Sequence, residues 1–277
     1  MFIIVESGST KADWVVVDDS ENQRFYRTRG INPSTQIELP DLNEYKDLCE
    51  EFAGRSDIYF YGAGADDPES NSRIQLWLNQ YGFNGNVQVE GDTIAAARAC
   101  FGMGKGIVCI LGTGSNSCVY DGDKIIKAIP SLGYVFSDEG GGVHIGKEII
   151  KAYFYGTMPS KERMIFEDNY KITKTQVIEN VYRSTTGNRY IASFADFLPK
   201  INGQWKDDLI KRIFREFIEL RILRYEECRI LSLSFVGSIA YYHKKYLDEV
   251  LSEYGLFTSE VIHQPIFQLI EYHKKYK

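Results

Sequence analysis

The sequence has 277 residues, 44% of them hydrophobic, and a net charge of −6 from 38 acidic and 32 basic residues. A chain of this size and composition can bury hydrophobic cores, so one large domain or two domains of ordinary size are expected. The basic residues are scattered with no long basic block, which argues against nucleic acid or an anionic membrane as a partner.

Two further features of the composition bear on location and redox state. No stretch approaches the roughly 18 apolar residues that a membrane-spanning helix needs, so a soluble, cytoplasmic protein is expected. The five cysteines are odd in number and show no C-x-x-C spacing. Most of them lie in apolar surroundings, which is typical of reduced core residues rather than of metal ligands or disulfides: Cys100, Cys109, Cys118 and Cys228.

The first hundred residues alternate between strand and helix patterns. Residues 2–5 and 14–17 are apolar runs that predict two strands of a hairpin, joined by a turn rich in small hydroxyl residues. A helix is predicted over 39–52, a strand over 58–61, and a short strand over 87–89 that leads into an alanine-rich helix over 93–100. This alternation favours an α/β architecture and puts Asp92 where a strand gives way to a helix.

The beginning of the chain is repeated after about a hundred residues. The segment from Ile4 to Thr10 and the segment from Ile110 to Asn116 share one order, namely apolar, apolar, variable, hydroxyl, Gly, Ser and polar. An offset this large indicates duplicated domains rather than a solenoid. A chance similarity of two glycine turns is the alternative.

The second half is predicted to be more helical. The predicted helices cover residues 146–155, 175–183, 190–200, 205 to about 229, 238 to about 254, and 264 to the end. A strand is predicted over 231–236, immediately before Gly237.

Both hairpin turns have the composition of phosphate-binding turns. Small residues let successive backbone N–H groups and hydroxyls approach a phosphate without a bulky side chain in the way. An ordinary tight hairpin is the alternative for either turn alone. Neither turn matches the G-x-x-x-x-G-K-[ST] loop or a G-x-G-x-x-G segment that opens a helix.

Three segments, in order, resemble the phosphate-1, phosphate-2 and adenosine motifs of the actin-like ATPase and sugar-kinase superfamily: Glu6 to Lys11, Gly112 to Asn116, and Phe235 to Ser238. Residues 133–142, Gly-Tyr-Val-Phe-Ser-Asp-Glu-Gly-Gly-Gly, are similar to the G-D-E-G-S segment of the N-acetylglucosamine kinase group, which is classified with the BadF/BadG/BcrA/BcrD ATPases. The motifs cover nearly the whole chain.

The resemblance implies two ribonuclease H-like domains of the actin-like ATPase type with a cleft between them. The expected limits are 1–107 and 108–261, with a final helix over 262–277 that packs back on the N-terminal domain. It further implies ATP and Mg²⁺ as cofactors and an amino sugar as the small-molecule partner. A homodimer is compatible with it.

The resemblance also assigns roles to residues. Asp92 is implied as the carboxylate that takes a proton from the sugar hydroxyl, as phosphoryl transfer requires; a helix N-cap is the competing role. Glu6 is implied as the residue that reaches the metal. The nucleotide contacts implied are Ser9, Thr10, Lys11, Thr113, Gly114, Gly237 and Ser238. The sugar contacts implied, besides Asp92, are Asn32, Ser115, Asn116, Gly133 and Asp138.

The sequence departs from the family pattern in the first turn. Glu6 stands where the family usually has Asp, which keeps a hard oxygen ligand for Mg²⁺ but lengthens its reach by one methylene. Ser7 and Ser9 replace glycines, which is workable where no positive φ is needed.

Three functions follow as hypotheses. The first is an ATP-dependent kinase for the 6-hydroxyl of an amino sugar, with N-acetylglucosamine or N-acetylmuramic acid as the leading substrates. The second is a nucleotide-driven activator ATPase of a partner enzyme, and the third is a degenerate nucleotide-binding protein without catalysis.

Overall fold

The computed structural model describes residues 1–8, 10–52 and 57–276. The chain divides into two compact units. Unit 1 comprises residues 1–104, 122–125 and 264–277, and unit 2 comprises residues 105–121 and 126–263. The domain limits predicted from the sequence, 1–107 and 108–261, stay a prediction. None of the helices in the described ranges is long and apolar enough to span a bilayer.

Unit 1 is built on a five-stranded mixed sheet in the order β3-β2-β1-β4-β5. Strands β1 to β3 are antiparallel neighbours, whereas β4 and β5 continue the sheet parallel to β1. The strands are β1 (Phe2–Ser7), β2 (Lys11–Val17), β3 (Gln23–Arg29), β4 (Asp57–Gly62) and β5 (Asn86–Gly91). The helices are α1 (Lys46–Glu50), α2 (Pro68–Asn79), α3 (Asp92–Phe101) and, from the end of the chain, α12 (Ile266–Tyr276).

The apolar side chains of β1 point alternately to the two faces of this sheet, and each face has its own core. Ile3 and Val5 pack with Trp14 and Trp77 on one face, whereas Ile4 packs on the other face with residues of α3 and α12. Because strand side chains alternate, each apolar run can serve two cores at once. The last helix is therefore part of unit 1, where it packs against α3 and β1.

Unit 2 repeats the same plan, with the strand order β10-β9-β6-β7-β8. β6 is antiparallel to β7 and parallel to β9, which is parallel to β10. The strands are β6 (Gly106–Leu111), β7 (Ser115–Tyr120), β8 (Ile125–Ala128), β9 (Leu233–Val236) and β10 (Thr258–Ile262). The helices are α4 (Gly133–Phe136), α5 (Gly142–Phe154), α6 (Ser160–Asn169), α7 (Lys174–Tyr182), α8 (Gly187–Ser193), α9 (Gln204–Leu220), α10 (Ser238–Tyr242) and α11 (Lys244–Glu253).

The predicted α/β class is confirmed, and several predicted helices are shorter than expected. The helix predicted over 205–229 is wrong beyond Leu220, because the chain turns at Arg221 and continues in two 3₁₀ turns. The helix predicted over 238–254 is interrupted at His243. Residues 194–200, which include Pro199, are 3₁₀ rather than α-helical. The helix predicted over 39–52 is reduced to a 3₁₀ turn over Leu42–Glu44 and the short α1.

Candidate functional site

The carboxyl ends of the parallel strands β1, β4 and β5 meet at one edge of the unit 1 sheet. In register, Ser7 pairs with Gly62, and Gly62 pairs with Gly91. The residues that follow these strands are therefore brought together although they are far apart in sequence. This edge is where open α/β sheets generally bind ligands.

The turn between β1 and β2 is held by backbone contacts that leave its threonine exposed. Gly8 N donates to Lys11 O at 3.0 Å, and Gly30 N donates to Thr10 O at 3.1 Å. The Thr10 hydroxyl makes no hydrogen bond within the described part of the chain. Ser9, also predicted to contact the nucleotide, lies outside the described residues.

Ser7 and Lys11 both have other partners in unit 1. The buried Ser7 hydroxyl accepts a hydrogen bond from Ile31 N at 2.8 Å and donates to Ile31 O at 2.9 Å, which ties β1 to the loop after β3. The Lys11 ammonium forms an ion pair with Asp13 at 2.6 Å. The charge of Lys11 is thus partly neutralised by a neighbour on its own strand.

Glu6 lies in a crowded group of carboxylates. It is paired across the hairpin with Asp13, so the two side chains emerge on the same face of the sheet. Burial, together with the negative charges of Asp13 and Asp92, raises the pKa of Glu6 to about 7, and the positive charge of Lys11 opposes the rise. Excess negative charge of this kind is what a divalent cation neutralises.

The carboxylate oxygens at this edge are suitable ligands for Mg²⁺, since Mg²⁺ prefers oxygen ligands. Among the described residues no three His, Cys, Asp or Glu groups stand close enough to enclose a metal ion. Mg²⁺ usually retains several waters and binds through one or two carboxylates, so a preformed cage is not required. Glu6 is the residue that could hold it from this side, because both carboxylate oxygens of Asp13 are bound by Lys11 and Arg27.

Asp92 is the first residue of α3, at the end of β5. The N-cap position belongs to Gly91, and no side chain forms a capping hydrogen bond there, so the capping role considered for Asp92 is wrong. Burial raises the pKa of Asp92 to about 6, the charge of Asp66 adds to the rise, and N–H groups at the helix start partly oppose it. A carboxylate with a pKa near neutrality is suited to general-base catalysis.

Asp66 is a neighbour of Asp92 that no sequence motif indicates. It follows β4, and a Cβ placed on Gly91 would lie only 1.7 Å from its Oδ1 atom. The carboxylate therefore packs against the backbone just before Asp92. Its proximity depends on the pairing of β4 with β5, a tertiary contact that no local motif reveals.

Asn32 lies in a loop of unit 1, and the Asn32 side chain holds that loop by hydrogen bonds to its backbone. Its Oδ1 accepts hydrogen bonds from Ser34 N at 3.0 Å and Thr35 N at 3.1 Å. The guanidinium of Arg73 also donates to backbone carbonyls of Pro33 and Ile37 in this loop. The Asn32 Nδ2 group makes no hydrogen bond within the described ranges, so it is available as a donor to a ligand.

In unit 2 the turn between β6 and β7 is braced by the start of α5. Gly142 N donates to Gly112 O at 2.8 Å, and Val143 N donates to Thr113 O at 2.9 Å. These contacts fix the backbone around Gly114, while the hydroxyl of Thr113 has no hydrogen bond within the described chain. The turn is rigid and still presents a free hydroxyl, as a phosphate-binding turn requires.

Asp138 connects the acidic segment before α5 to the same turn. Its Oδ1 accepts from Ser115 N at 3.1 Å, its backbone has a φ of 73°, and burial raises its pKa. The Ser115 hydroxyl is buried without a hydrogen-bond partner among the described residues. These two predicted sugar contacts are therefore direct neighbours.

The remaining predicted residues of unit 2 lie at separate points. Asn116 follows Ser115 on β7, and its Oδ1 accepts from Ser117 N at 2.9 Å. Gly133 begins the short helix α4 on an exposed segment and contacts neither Asp138 nor Ser115 through any hydrogen bond. Gly237 and Ser238 join β9 to α10, and Gly237 has a φ of 114°.

No protein-family model matches the chain. A curated relative from Clostridium acetobutylicum, named N-acetylmuramic acid/N-acetylglucosamine kinase, is 32% identical over 209 residues, which are 69% of this chain. The match spans 66% of that relative's length, just under two thirds.

Solved structures match over the full length. A candidate N-acetylglucosamine kinase from Porphyromonas gingivalis is 34% identical, with a TM-score of 0.88 and coverage of 99% of both chains. A candidate N-acetylglucosamine kinase from Chromobacterium violaceum shares the fold, with a TM-score of 0.70 at 11% identity and coverage of 98% of both chains. The duplicated sheet topology and these relatives agree with the motifs, and the chain belongs to the N-acetylglucosamine kinase-like family of the actin-like ATPase and sugar-kinase superfamily.

Proposed function

We propose that this protein transfers the γ-phosphoryl group of ATP to the 6-hydroxyl of an amino sugar. The observation that carries the proposal is Asp92, a carboxylate with a pKa raised to about 6 at the carboxyl edge of the unit 1 sheet. The names of the relatives support an amino-sugar kinase.

Asp92 is proposed as the general base. A sugar hydroxyl is a poor nucleophile, and its attack on phosphorus becomes easier when a carboxylate accepts the proton as the new O–P bond forms. The ATP β–γ bridging bond breaks, and ADP leaves with the electron pair. Burial keeps the Asp92 carboxylate basic enough to accept the proton near neutral pH.

The two hairpin turns are proposed to bind the ATP phosphates. Thr10, Lys11 and Ser9 would contribute from the first turn, and Thr113 and Gly114 from the second. Gly237 and Ser238 are proposed to lie against the adenosine. Glu6 would hold Mg²⁺, which supplies positive charge against the phosphates when bound.

The sugar is proposed to be held by a set of hydrogen-bonding groups. Asn32 offers its Nδ2 donor, Ser115 offers a buried hydroxyl without a partner in the described chain, and Asp138 offers a carboxylate. Asn116 and Gly133 complete the set that the family pattern implies. N-acetylglucosamine and N-acetylmuramic acid are both candidates, since both appear in the name of the curated relative.

The activator ATPase is less well supported. An iron–sulfur cluster needs accessible cysteine ligands, but Cys109, Cys118 and Cys228 are buried in unit 2. Brown colour and visible absorbance in anaerobically purified protein would favour the activator.

A coupled assay tests the proposal directly. ADP release is measured with ATP, Mg²⁺ and each of N-acetylglucosamine, N-acetylmuramic acid and glucosamine, and the product is identified by mass and by the position of the phosphate. Sugar-dependent ADP release with a 6-phosphate product supports the kinase. ATP affinity without turnover on any sugar would instead support the non-catalytic binding protein.

A further inference from the structure

Arg221 is a deeply buried arginine that pairs with Glu139. Glu139 directly follows Asp138, one of the residues proposed to contact the sugar. Arg221 follows α9 directly, and its side chain is only 3% exposed. Its Nε and Nη2 atoms donate to Glu139 Oε2 at 3.1 and 3.0 Å. Arginine is seldom this buried unless it is paired and hydrogen-bonded, so the contact is specific rather than incidental.

The same guanidinium also binds the backbone just before residues 131–138, the segment that Glu139 follows. Its Nη1 atom donates to Ile129 O at 3.1 Å and to Pro130 O at 3.0 Å. One rigid, planar group therefore holds the residues that precede the 131–138 segment and the residue that follows it. Lysine could not reproduce this, because it lacks the fork of fixed donors.

The 131–138 segment contains two of the proposed sugar contacts, Gly133 and Asp138. Asp138 is adjacent to Glu139 and accepts a hydrogen bond from Ser115 N, so the position of Glu139 is transmitted to the β6–β7 turn. The entrance to the segment is also fixed by Tyr225, whose hydroxyl accepts from Ile129 N at 3.0 Å and donates to Ser117 O at 2.7 Å.

Hydrophobic burial does little to hold the segment itself. Leu132, Val135 and Phe136 are 65%, 64% and 77% exposed. Within the segment the contacts are local ones, such as the hydrogen bond from Leu132 N to Ser137 Oγ, and the Lys147 ammonium donates to Tyr134 O. The two ends of the segment are thus fixed by polar contacts, and most of those contacts come from Arg221.

We propose that Arg221 is a positioning residue, which holds the 131–138 segment in the conformation that binds the sugar. The inference rests on the proposed function, since it assumes that Gly133 and Asp138 meet the substrate. Arg221 itself touches no reacting atom. A purely structural role for Arg221 is the competing explanation.

Two variants separate these explanations. Arg221→Lys keeps the positive charge near Glu139 but loses the contacts to Ile129 and Pro130. Glu139→Gln keeps an oxygen acceptor but weakens the same Arg221–Glu139 pair by changing its other partner. This variant is the alternative test if Arg221→Lys folds poorly. A displacement of about 1 Å at a binding segment can cost up to about 10²-fold, so the KM for the sugar is expected to rise by about 10-fold or more in both variants. The KM for ATP should change far less.

The matched control is Arg215→Lys. Arg215 lies within α9 and, like Arg221, donates through Nε and Nη2 to one carboxylate, that of Glu253, at 2.7 and 2.9 Å. This pair is exposed on both sides, so the same chemical change is made without any contact to the 131–138 segment. Wild-type KM values for both substrates are expected in this variant.

Hydrogen–deuterium exchange gives a readout that does not require activity. In Arg221→Lys the peptides that cover residues 129–139 should exchange faster, with the rest of unit 2 unchanged. An unchanged sugar KM in folded Arg221→Lys and Glu139→Gln, or equal loss of protection throughout unit 2, would overturn the proposal. If the wild-type protein phosphorylates no sugar, the proposed function fails, and the exchange data still decide whether Arg221 orders this segment.

Discussion

At the scale of single residues, Asp92 and Asp67 illustrate two uses of aspartate at a helix start. Asp67 is a true N-cap, whose carboxylate accepts from Ser70 N at 2.9 Å at the beginning of α2. Asp92 lies one position inside α3, where Gly91 is the N-cap residue. The two residues have the same chemistry, and their position relative to the helix separates the structural role of Asp67 from the catalytic role proposed for Asp92.

Asp92→Asn is expected to lower kcat by about 10²–10⁴-fold, because the amide cannot accept the proton of the sugar hydroxyl. ATP affinity should change little, since Asp92 is proposed to meet the sugar. Turnover, ATP affinity and melting temperature are measured on the same preparations. Near-normal phosphorylation by this variant would remove Asp92 from the mechanism.

The control is Asp67→Ala, which removes a cap and leaves Asp92 in place. Loss of an N-cap typically costs about 1 kcal/mol, so the melting temperature should fall while kcat remains near the wild-type value. A large loss of turnover in this control would show that Asp66, the residue before Asp67, transmits the change to Asp92.

The pKa of Asp92 predicts a pH dependence. A general base must be deprotonated, so activity is present above its pKa and is lost as pH falls through it. We expect kcat/KM to fall towards a tenfold loss per pH unit below about pH 6. Because the γ-phosphate of ATP also titrates near this pH, the residual activity of Asp92→Asn supplies the comparison profile. Identical acid limbs in the two proteins would contradict the assignment.

Individual residues of the candidate site could be predicted where they belong to a sequence motif. The turn threonines, Asp92 and Asp138 occur in segments with a recognisable order of residue types. Asp66 and Arg221 could not be found in this way, because each is brought to its place by strand pairing or by the end of a helix. Tertiary contacts between distant segments leave no local sequence pattern.

At the scale of elements, the link from β9 to α10 depends on one glycine. Gly237 has a φ of 114°, and a Cβ there would lie 2.5 Å from Leu111 O, a backbone atom that cannot easily move. Gly237→Ala is expected to destabilise the protein by about 1–3 kcal/mol and to weaken ATP binding. Melting temperature and nucleotide affinity are the measurements.

Gly203→Ala is the matched control for this substitution. Gly203 has a similar φ of 120°, but no atom lies within 4 Å of the position that a Cβ would take. Gly203→Ala reports the stability cost of the backbone conformation alone, because Gly203 is not among the proposed nucleotide contacts. Equal effects of the two alanine variants on ATP affinity would argue against close contact of the adenosine with Gly237.

The helix boundaries show where periodicity stops being informative. The apolar pattern of α9 continues in sequence past its end, with Ile222 and Leu223, yet the helix ends at Leu220. The guanidinium of Arg221 has partners on Glu139 and on the backbone of residues 129–130, and the chain turns at that residue. The helix therefore ends where Arg221 makes tertiary hydrogen bonds, which periodicity does not reveal, whereas the existence of the helix follows from its amphipathic pattern.

At the scale of the whole molecule, the duplication was predictable and its details were not. Two similar turn segments offset by about a hundred residues predicted repeated domains, and both sheets have the same strand order. The edge strand β3 was missed because its seven residues, Gln23–Arg29, are mostly polar. Its pairing with β2 depends on the hairpin geometry rather than on an apolar run.

Each unit contains a buried histidine that should make the protein sensitive to acid. Burial is the main cause that lowers the pKa of His273 in unit 1 to about 3 and that of His243 in unit 2 to about 4. His273 Nε2 lies 2.8 Å from the hydroxyl of Tyr61, and its ring stacks on Tyr59 with centroids 4.0 Å apart. A neutral imidazole fits this environment, whereas a charged one does not.

The sign of the effect follows from linkage. The folded pKa of each histidine lies below the unfolded value of about 6.5, so the unfolded state binds the proton more readily and stability falls as pH drops below that value. For His273 the loss between pH 7 and pH 5 should be about 2 kcal/mol. His273→Gln, which can still hydrogen-bond to Tyr61, is expected to flatten the stability profile over this range. Urea unfolding at pH 7, 6 and 5 measures it, with His243→Gln as the corresponding change in unit 2. Parallel profiles for wild type and His273→Gln would show that the neutral imidazole contributes nothing to the acid sensitivity of the fold.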